Sequence, residues 1–236
     1  MTMAPARILL SHGVLADGSS WSKVIPHLQA AGHEVITCQE PLTSLPDDIN
    51  VVKTALKTLN DRSDVPIVVA GHSFGGFVIT NAVTDAPNVK ALVYVMAYAP
   101  DKGESVNSLS ADYTPLESHK YFVPDAGGRL LLGQPEYVKY FAPDVNPVDA
   151  RVLAASQGPF DGARWDFASG EPAWKQVNNK YYVIAEKDQI IQPELQAFFA
   201  KRMNAKTHTL KGASHAGLIS RGEAVADIIL EAANSS

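Results

Sequence analysis

The sequence has a single cysteine, Cys38, among 236 residues. No intrachain disulfide is possible, and within the apolar stretch HEVITCQE this residue reads as a small core side chain. A basic excess is also missing. Lys and Arg number 20 against 25 Asp and Glu, a net charge of −5. That balance removes the electrostatic footprint of a nucleic-acid or anionic-lipid binder. No apolar run approaches the ~20 residues of a membrane span. The opening MTMAPARILLSHG has too short an apolar stretch for a signal peptide. The expectation is a cytoplasmic protein with no membrane partner. The chain has no H-E-x-x-H and no paired-cysteine spacing, so no metal is expected. The serine-centred turn described below has neither G-x-G-x-x-G nor a Gly-Lys-Ser/Thr ending, and no cofactor is expected. Polar linkers, repeats and low-complexity tracts are absent, and acidic residues form no tail or block.

What is present suits one α/β domain. Apolar residues make up 46% of the chain and charged ones 19%, the composition of a globular protein. Short apolar runs recur: RILLSH, HEVITCQ, VPIVVAGH, VKALVYVMAYA, KYYVIAEKD and KTHTLKG. Their near-continuous apolarity suits parallel strands buried on both faces. Helical patterns lie between them. Trp21, Val24, Ile25 and Leu28 share one helical face, with Pro26 placing the true start after Ser20. Val52, Leu56 and Leu59 mark a second helix, a third follows Ser73, and Pro193 opens a fourth through Leu195, Phe198 and Phe199. Val225, Ile228, Ile229 and Ala232 mark the last. The expected architecture is an open, mostly parallel sheet of about six strands with helices on both faces.

Residues 101–174 break this rhythm. Prolines, glycines and aromatics are frequent there, no strand is predicted, and QPEYVKYFAPD and NPVDARVLAASQG read as short helices. The segment is expected to be an insertion, too long for an ordinary loop, with residues 1–100 and 175–236 forming the core.

The chemistry centres on PIVVAGHSFGGFVITNAV. Gly71-His72-Ser73-Phe74-Gly75 fits G-x-S-x-G, with a strand pattern before it and a helix pattern after it. Such a turn holds a serine nucleophile in a strained, exposed conformation. A serine hydroxyl needs a base. His215, in KGASHAGL after the last strand pattern, sits at the sheet edge where Ser73 emerges. A carboxylate must fix the imidazole tautomer, and Asp188 follows KYYVIAEKD in the hydrolase order Ser, Asp, His. Glu186, Asp161 and Asp166 are its rivals. Oxyanion donors are expected from the backbone N–H of Phe74 and, in SHGVLADGSSW, of Val14. His72 and His12 read as structural.

Together, His12–Trp21, GHSFGG and the Asp188 and His215 loops resemble the α/β-hydrolase superfamily. They look closest to small bacterial esterase-like members similar to plant methyl-ester esterases and hydroxynitrile lyases. The likeness spans essentially the whole chain, and the insertion then corresponds to a cap over Ser73. It implies hydrolysis of a small or medium carboxylic ester through an acyl-enzyme, with Val14 and Phe74 forming the oxyanion hole and no cofactor. The lyases carry a threonine where this chain has Gly13, and a lysine where it has Ala216, which favours ester hydrolysis. A small-molecule receptor on the same scaffold is the alternative. Tyr113, Tyr121, Phe122, Trp165, Phe167 and Trp174 are candidates for the cap's pocket wall, and His119 is the cap histidine able to meet a polar group.

Overall fold

The computed structural model describes residues 6–62 and 64–235. Its strands are β1 (Arg7–Ser11), β2 (Glu34–Thr37), β3 (Ile67–His72), β4 (Val89–Val95), β5 (Phe122–Pro124), β6 (Leu130–Leu132), β7 (Asn179–Ala185) and β8 (Lys206–Leu210). Six of them form one sheet in the order β2-β1-β3-β4-β7-β8, and every pairing in it is parallel. Alternating strand residues serve two cores. Leu9, Val69, Leu92 and Tyr182 face one, and Ile8, Val68, Val93 and Val183 face the other. The central β3 is buried throughout, while the edge strands β2 and β8 are partly exposed.

The helices are α1 (Ile25–Ala30), α2 (Leu45–Arg62), α3 (Phe74–Ala82), α4 (Val106–Ser110), α5 (Gln134–Glu136), α6 (Pro147–Ala155), α7 (Pro193–Arg202), α8 (Gly217–Ser220) and α9 (Gly222–Asn234). Apolar residues of α1 and α9 cover one face of the sheet, and those of α2, α3 and α7 cover the other. Among the described residues, no helix is long and apolar enough to cross a membrane.

The first helical pattern divides in two. A 3₁₀ turn, Gly18–Trp21, precedes α1, which starts at Ile25 with Pro26 in its first turn. A proline there removes an N–H that has no helical acceptor anyway. On α7, Phe198 is exposed, contrary to the expected apolar face. Gln196 takes an inward position instead, fully buried.

Between β4 and β7 the chain forms α4, the β5–β6 hairpin, α5 running into a π-helical turn (Tyr137–Phe141), and α6. The hairpin corrects the strandless expectation for residues 101–174. Its strands are three residues each, too short to leave a period-two pattern. The turn specifies them: Asp125 Oδ1 accepts from Gly127 N at 2.8 Å and Arg129 N at 2.9 Å, and Gly128 adopts φ +81°. The two ends of the segment meet, with Gly103 N donating to Ser169 O and Ser169 N to Glu104 O, both at 2.8 Å. A buried ion pair, Arg164 to Asp48 at 2.7 Å, ties it to α2.

Strand order reverses at β1, whose neighbours are β2 and β3. Open α/β sheets bind ligands beyond the carboxyl ends of the strands flanking such a reversal. Ser11 pairs with Gly71 in register, so the loop after β1 and the turn after β3 leave the sheet side by side.

Candidate active site

Ser73 stands between β3 and α3 with φ 55° and ψ −124°, in a region that side-chain-bearing residues rarely occupy. Gly75 makes the sharp turn possible, because a Cβ there would lie 2.6 Å from His12 O. Gly13 is equally constrained, since its Cβ would lie 2.6 Å from Ser73 Cβ. The loop after β1 is therefore packed directly against the serine. Phe74 is the first residue of α3, and its N–H is among those the helix itself leaves without an acceptor.

His215 and Asp188 come together although 27 residues separate them. His215 Nδ1 donates to Asp188 Oδ2 at 2.7 Å, with both side chains fully buried. The carboxylate requires the proton on Nδ1 and leaves Nε2 as a lone pair in a neutral ring. Nε2 is buried without a hydrogen-bond partner among the described residues. Asp188 is itself held by three further donors: Ile190 N and Ile191 N at 2.8 and 3.0 Å to Oδ1, and Gln196 Nε2 at 2.8 Å to Oδ2. Gln196 Oε1 accepts from Ala185 N at 3.1 Å, which ties the carboxylate to the end of β7. Its sequence signal was faint, a glutamine sharing a helical face with Phe199 and Ala200.

The rival carboxylates lie elsewhere. Glu186 accepts from Gly212 N, Asp161 caps a 3₁₀ turn at Ala163 N, and Asp166 accepts from Asn107.

Two more histidines support the framework. His72 Nε2 donates to His215 O at 2.9 Å. Burial first, and then the neighbouring His215, hold the His72 pKa well below the ordinary value, so it remains neutral. His12 Nδ1 donates to Gly13 O at 2.8 Å, and its Nε2 lies 2.8 Å from Glu40 Oε2. Burial opposes charge on His12, but the Glu40 carboxylate and the Gly13 carbonyl overcome it and raise the pKa. Because C=O and N–H point opposite ways across a trans peptide, pinning Gly13 O directs Val14 N–H away from His12.

A cavity of about 400 Å³ opens over Ser73. Val14 and Phe74 share its lining with the serine, and Phe122, Phe141 and Trp165 contribute aromatic wall. Asn107, Ser110 and His119 add polar points. His119 Nε2 also donates to Ile190 O at 3.1 Å. The Tyr98 hydroxyl, on the same wall, is pushed up to about 12 by burial.

Four expected wall residues do not line this cavity. Tyr121 stacks on Tyr140 with centroids 5.7 Å apart, and Tyr113 packs against the main core. Trp174 donates to Pro100 O at 2.8 Å and lies beneath Arg202. Phe167 is exposed. Aromatic content marks packing and pocket residues alike, and only the path of the chain separates them.

The sequence profile of the Alpha/beta hydrolase family matches residues 8–228. The chain belongs to this family. Among α/β-hydrolase relatives, the carbendazim hydrolyzing esterase of Nocardioides sp. is 27% identical over 127 residues, 50% of this chain and 52% of that protein. The chain thus spans about half the length of that relative. Salicylic acid-binding protein 2 of Nicotiana tabacum is 22% identical, with 96% of each chain covered. In three dimensions the chain is similar to polyneuridine aldehyde esterase, with a TM-score of 0.81 at 19% identity over 96% of this chain and 98% of that one.

Proposed function

We propose that the protein is a serine esterase acting on small or medium carboxylic esters, with Ser73, His215 and Asp188 as its triad. The observation that carries this reading is the 2.7 Å Asp188–His215 pair, with its unpartnered Nε2, in a fold that brings Ser73 to an apolar cavity. His215 Nε2 takes the Ser73 hydroxyl proton as Oγ attacks the ester carbonyl. The resulting oxyanion is met by the N–H groups of Phe74 and Val14, donors fixed before the reaction begins. Imidazolium then returns its proton to the alkoxide as the C–O bond breaks, leaving the acyl group on Ser73. Water, deprotonated by the same nitrogen, attacks the acyl-enzyme, and the acid departs.

Residues 101–174 act as the cap, supplying Phe122 and Trp165 to the pocket wall. The esterase names among the relatives favour hydrolysis over receptor function, and Ala216 lacks the charge that a lyase would use on cyanide. The test pairs wild type with Ser73→Ala against a fluorophosphonate and p-nitrophenyl acetate. One adduct on wild type alone, with sustained turnover lost in the variant, is expected. An adduct without turnover would favour a receptor, and no adduct would remove Ser73 as nucleophile.

A further inference from the structure

The loop that carries His215 is flanked by Gly212, at φ +69°, and Gly217, residues that leave a backbone free to move. The Asp188 bond fixes the imidazole Nδ1, and His72 fixes the His215 carbonyl. Neither holds the residues on either side. Ser214 and Ala216 bond to α8, through Gly217 N to Ser214 O at 3.1 Å and Ile219 N to Ala216 O at 2.8 Å, and they are held from the cap as well. Phe141 O accepts from Ala216 N at 3.1 Å and lies 3.0 Å from Ser214 Oγ, whose single proton goes to Asp144. Asp144 accepts from Ser214 N at 3.2 Å, from Ser214 Oγ, and from Ser220 Oγ at 2.6 Å. The Phe141 ring packs edge-on against the His215 imidazole, with centroids 4.7 Å apart.

The local conformation explains the reach. Phe141 ends the π-helical turn, which Ala142 N closes on Tyr137 O at 3.1 Å. Such turns recur at functional sites, and the final carbonyl of a helical segment needs an acceptor role outside it. Here that carbonyl is turned toward the catalytic-histidine loop.

We propose that Asp144 and the Phe141 carbonyl are positioning groups for the general base, holding Ser214–Ala216 so that His215 Nε2 stays aimed at Ser73. The inference rests on the esterase reading, in which His215 is that base. The cap then shapes the pocket and also braces the machinery beneath it. A displacement of the base by about 1 Å can cost about a hundredfold in rate, so the bracing has a kinetic signature distinct from lost stability.

The experiment compares wild type, Asp144→Ala, Asp144→Asn and Ser220→Ala. It reads kcat and KM on p-nitrophenyl acetate, the fluorophosphonate labelling rate, thermal midpoints, and the low-field proton resonance of His215 Nδ1–H. Asp144→Ala is expected to lower kcat and labelling by about 10- to 100-fold, with KM held within about twofold, and to shift or broaden the resonance. Asp144→Asn keeps one acceptor oxygen and is expected to recover part of the loss. Should the alanine variant fail to fold, Asp144→Asn carries the same readouts. Ser220→Ala removes one donor to Asp144 but leaves Asp144 bonded to Ser214, so it is expected to lower kcat and shift the resonance less than Asp144→Ala does. Wild-type kcat and resonance in Asp144→Ala would overturn the proposal, as would equal losses in Asp144→Ala and Ser220→Ala. A wild type that fluorophosphonate does not label would instead overturn the esterase reading itself.

Discussion

Ser73 holds a backbone conformation that costs about 1–3 kcal/mol, and it persists because Val95 O, Gly76 N and Tyr98 N all bond its main chain. The same over-determination surrounds Asp188, whose four hydrogen bonds leave the carboxylate one orientation. Gln196 supplies one of them from full burial. Gln196→Leu is expected to cost about 1–3 kcal/mol of stability, measured by urea unfolding, and to lower kcat more than it changes KM. His72 makes a pH prediction. Its folded pKa lies well below the ordinary value because burial and His215 oppose its charging. The unfolded chain protonates this residue near pH 6.5, so below that point the unfolded state binds more protons and stability falls. In His72→Asn, urea midpoints measured from pH 7 to pH 5 are expected to decline less steeply than in wild type.

Elements were legible where a pattern ran long enough. The sheet strands, α2 and α9 repeat their apolar residues over several periods, and burial follows the pattern. The β5–β6 hairpin escaped because three-residue strands carry no period, and α7 misled because Phe198 lies outside while Gln196 lies inside. The Arg164–Asp48 bridge joins a 3₁₀ turn of the cap to α2 with neither side chain exposed. Arg164 also lies over the Phe74 ring at 5.1 Å, beneath the proposed oxyanion donor. Removing one member of a buried pair leaves an uncompensated charge, so Asp48→Ala is expected to cost about 3–5 kcal/mol. The Asp48→Leu, Arg164→Met double variant is expected to recover most of that loss in denaturant unfolding.

For the whole molecule, the loops after β1 and β3 leave the sheet side by side at the reversal of strand order, and residues 101–174 contribute Phe122 and Trp165 to the wall of a cavity of about 400 Å³. That volume, within the usual range of about 300–1,000 Å³ for small-ligand sites, sets a size limit. Across a p-nitrophenyl ester series, kcat/KM is expected to be retained from acetate to hexanoate and lost at palmitate. Efficient palmitate turnover would mean that the cap opens far wider than the structure shows.

The order of the proposed catalytic residues was read from the sequence. A serine between glycines at a strand-to-helix junction, then an aspartate and a histidine beyond later strands, followed from local pattern alone, because turn sterics and strand periodicity act over a few residues. The six-stranded parallel sheet followed from the same periodicities. Tertiary structure decided the rest: Gln196 behind Asp188, Asp144 and Phe141 behind His215, and which cap aromatics face the cavity. The hydrogen bonds among them join residues 8 to 75 positions apart, from Gln196–Asp188 to Ala216–Phe141 (216 − 141). Their geometry depends on how an irregular segment folds back across the sheet, and no short-range preference encodes that path.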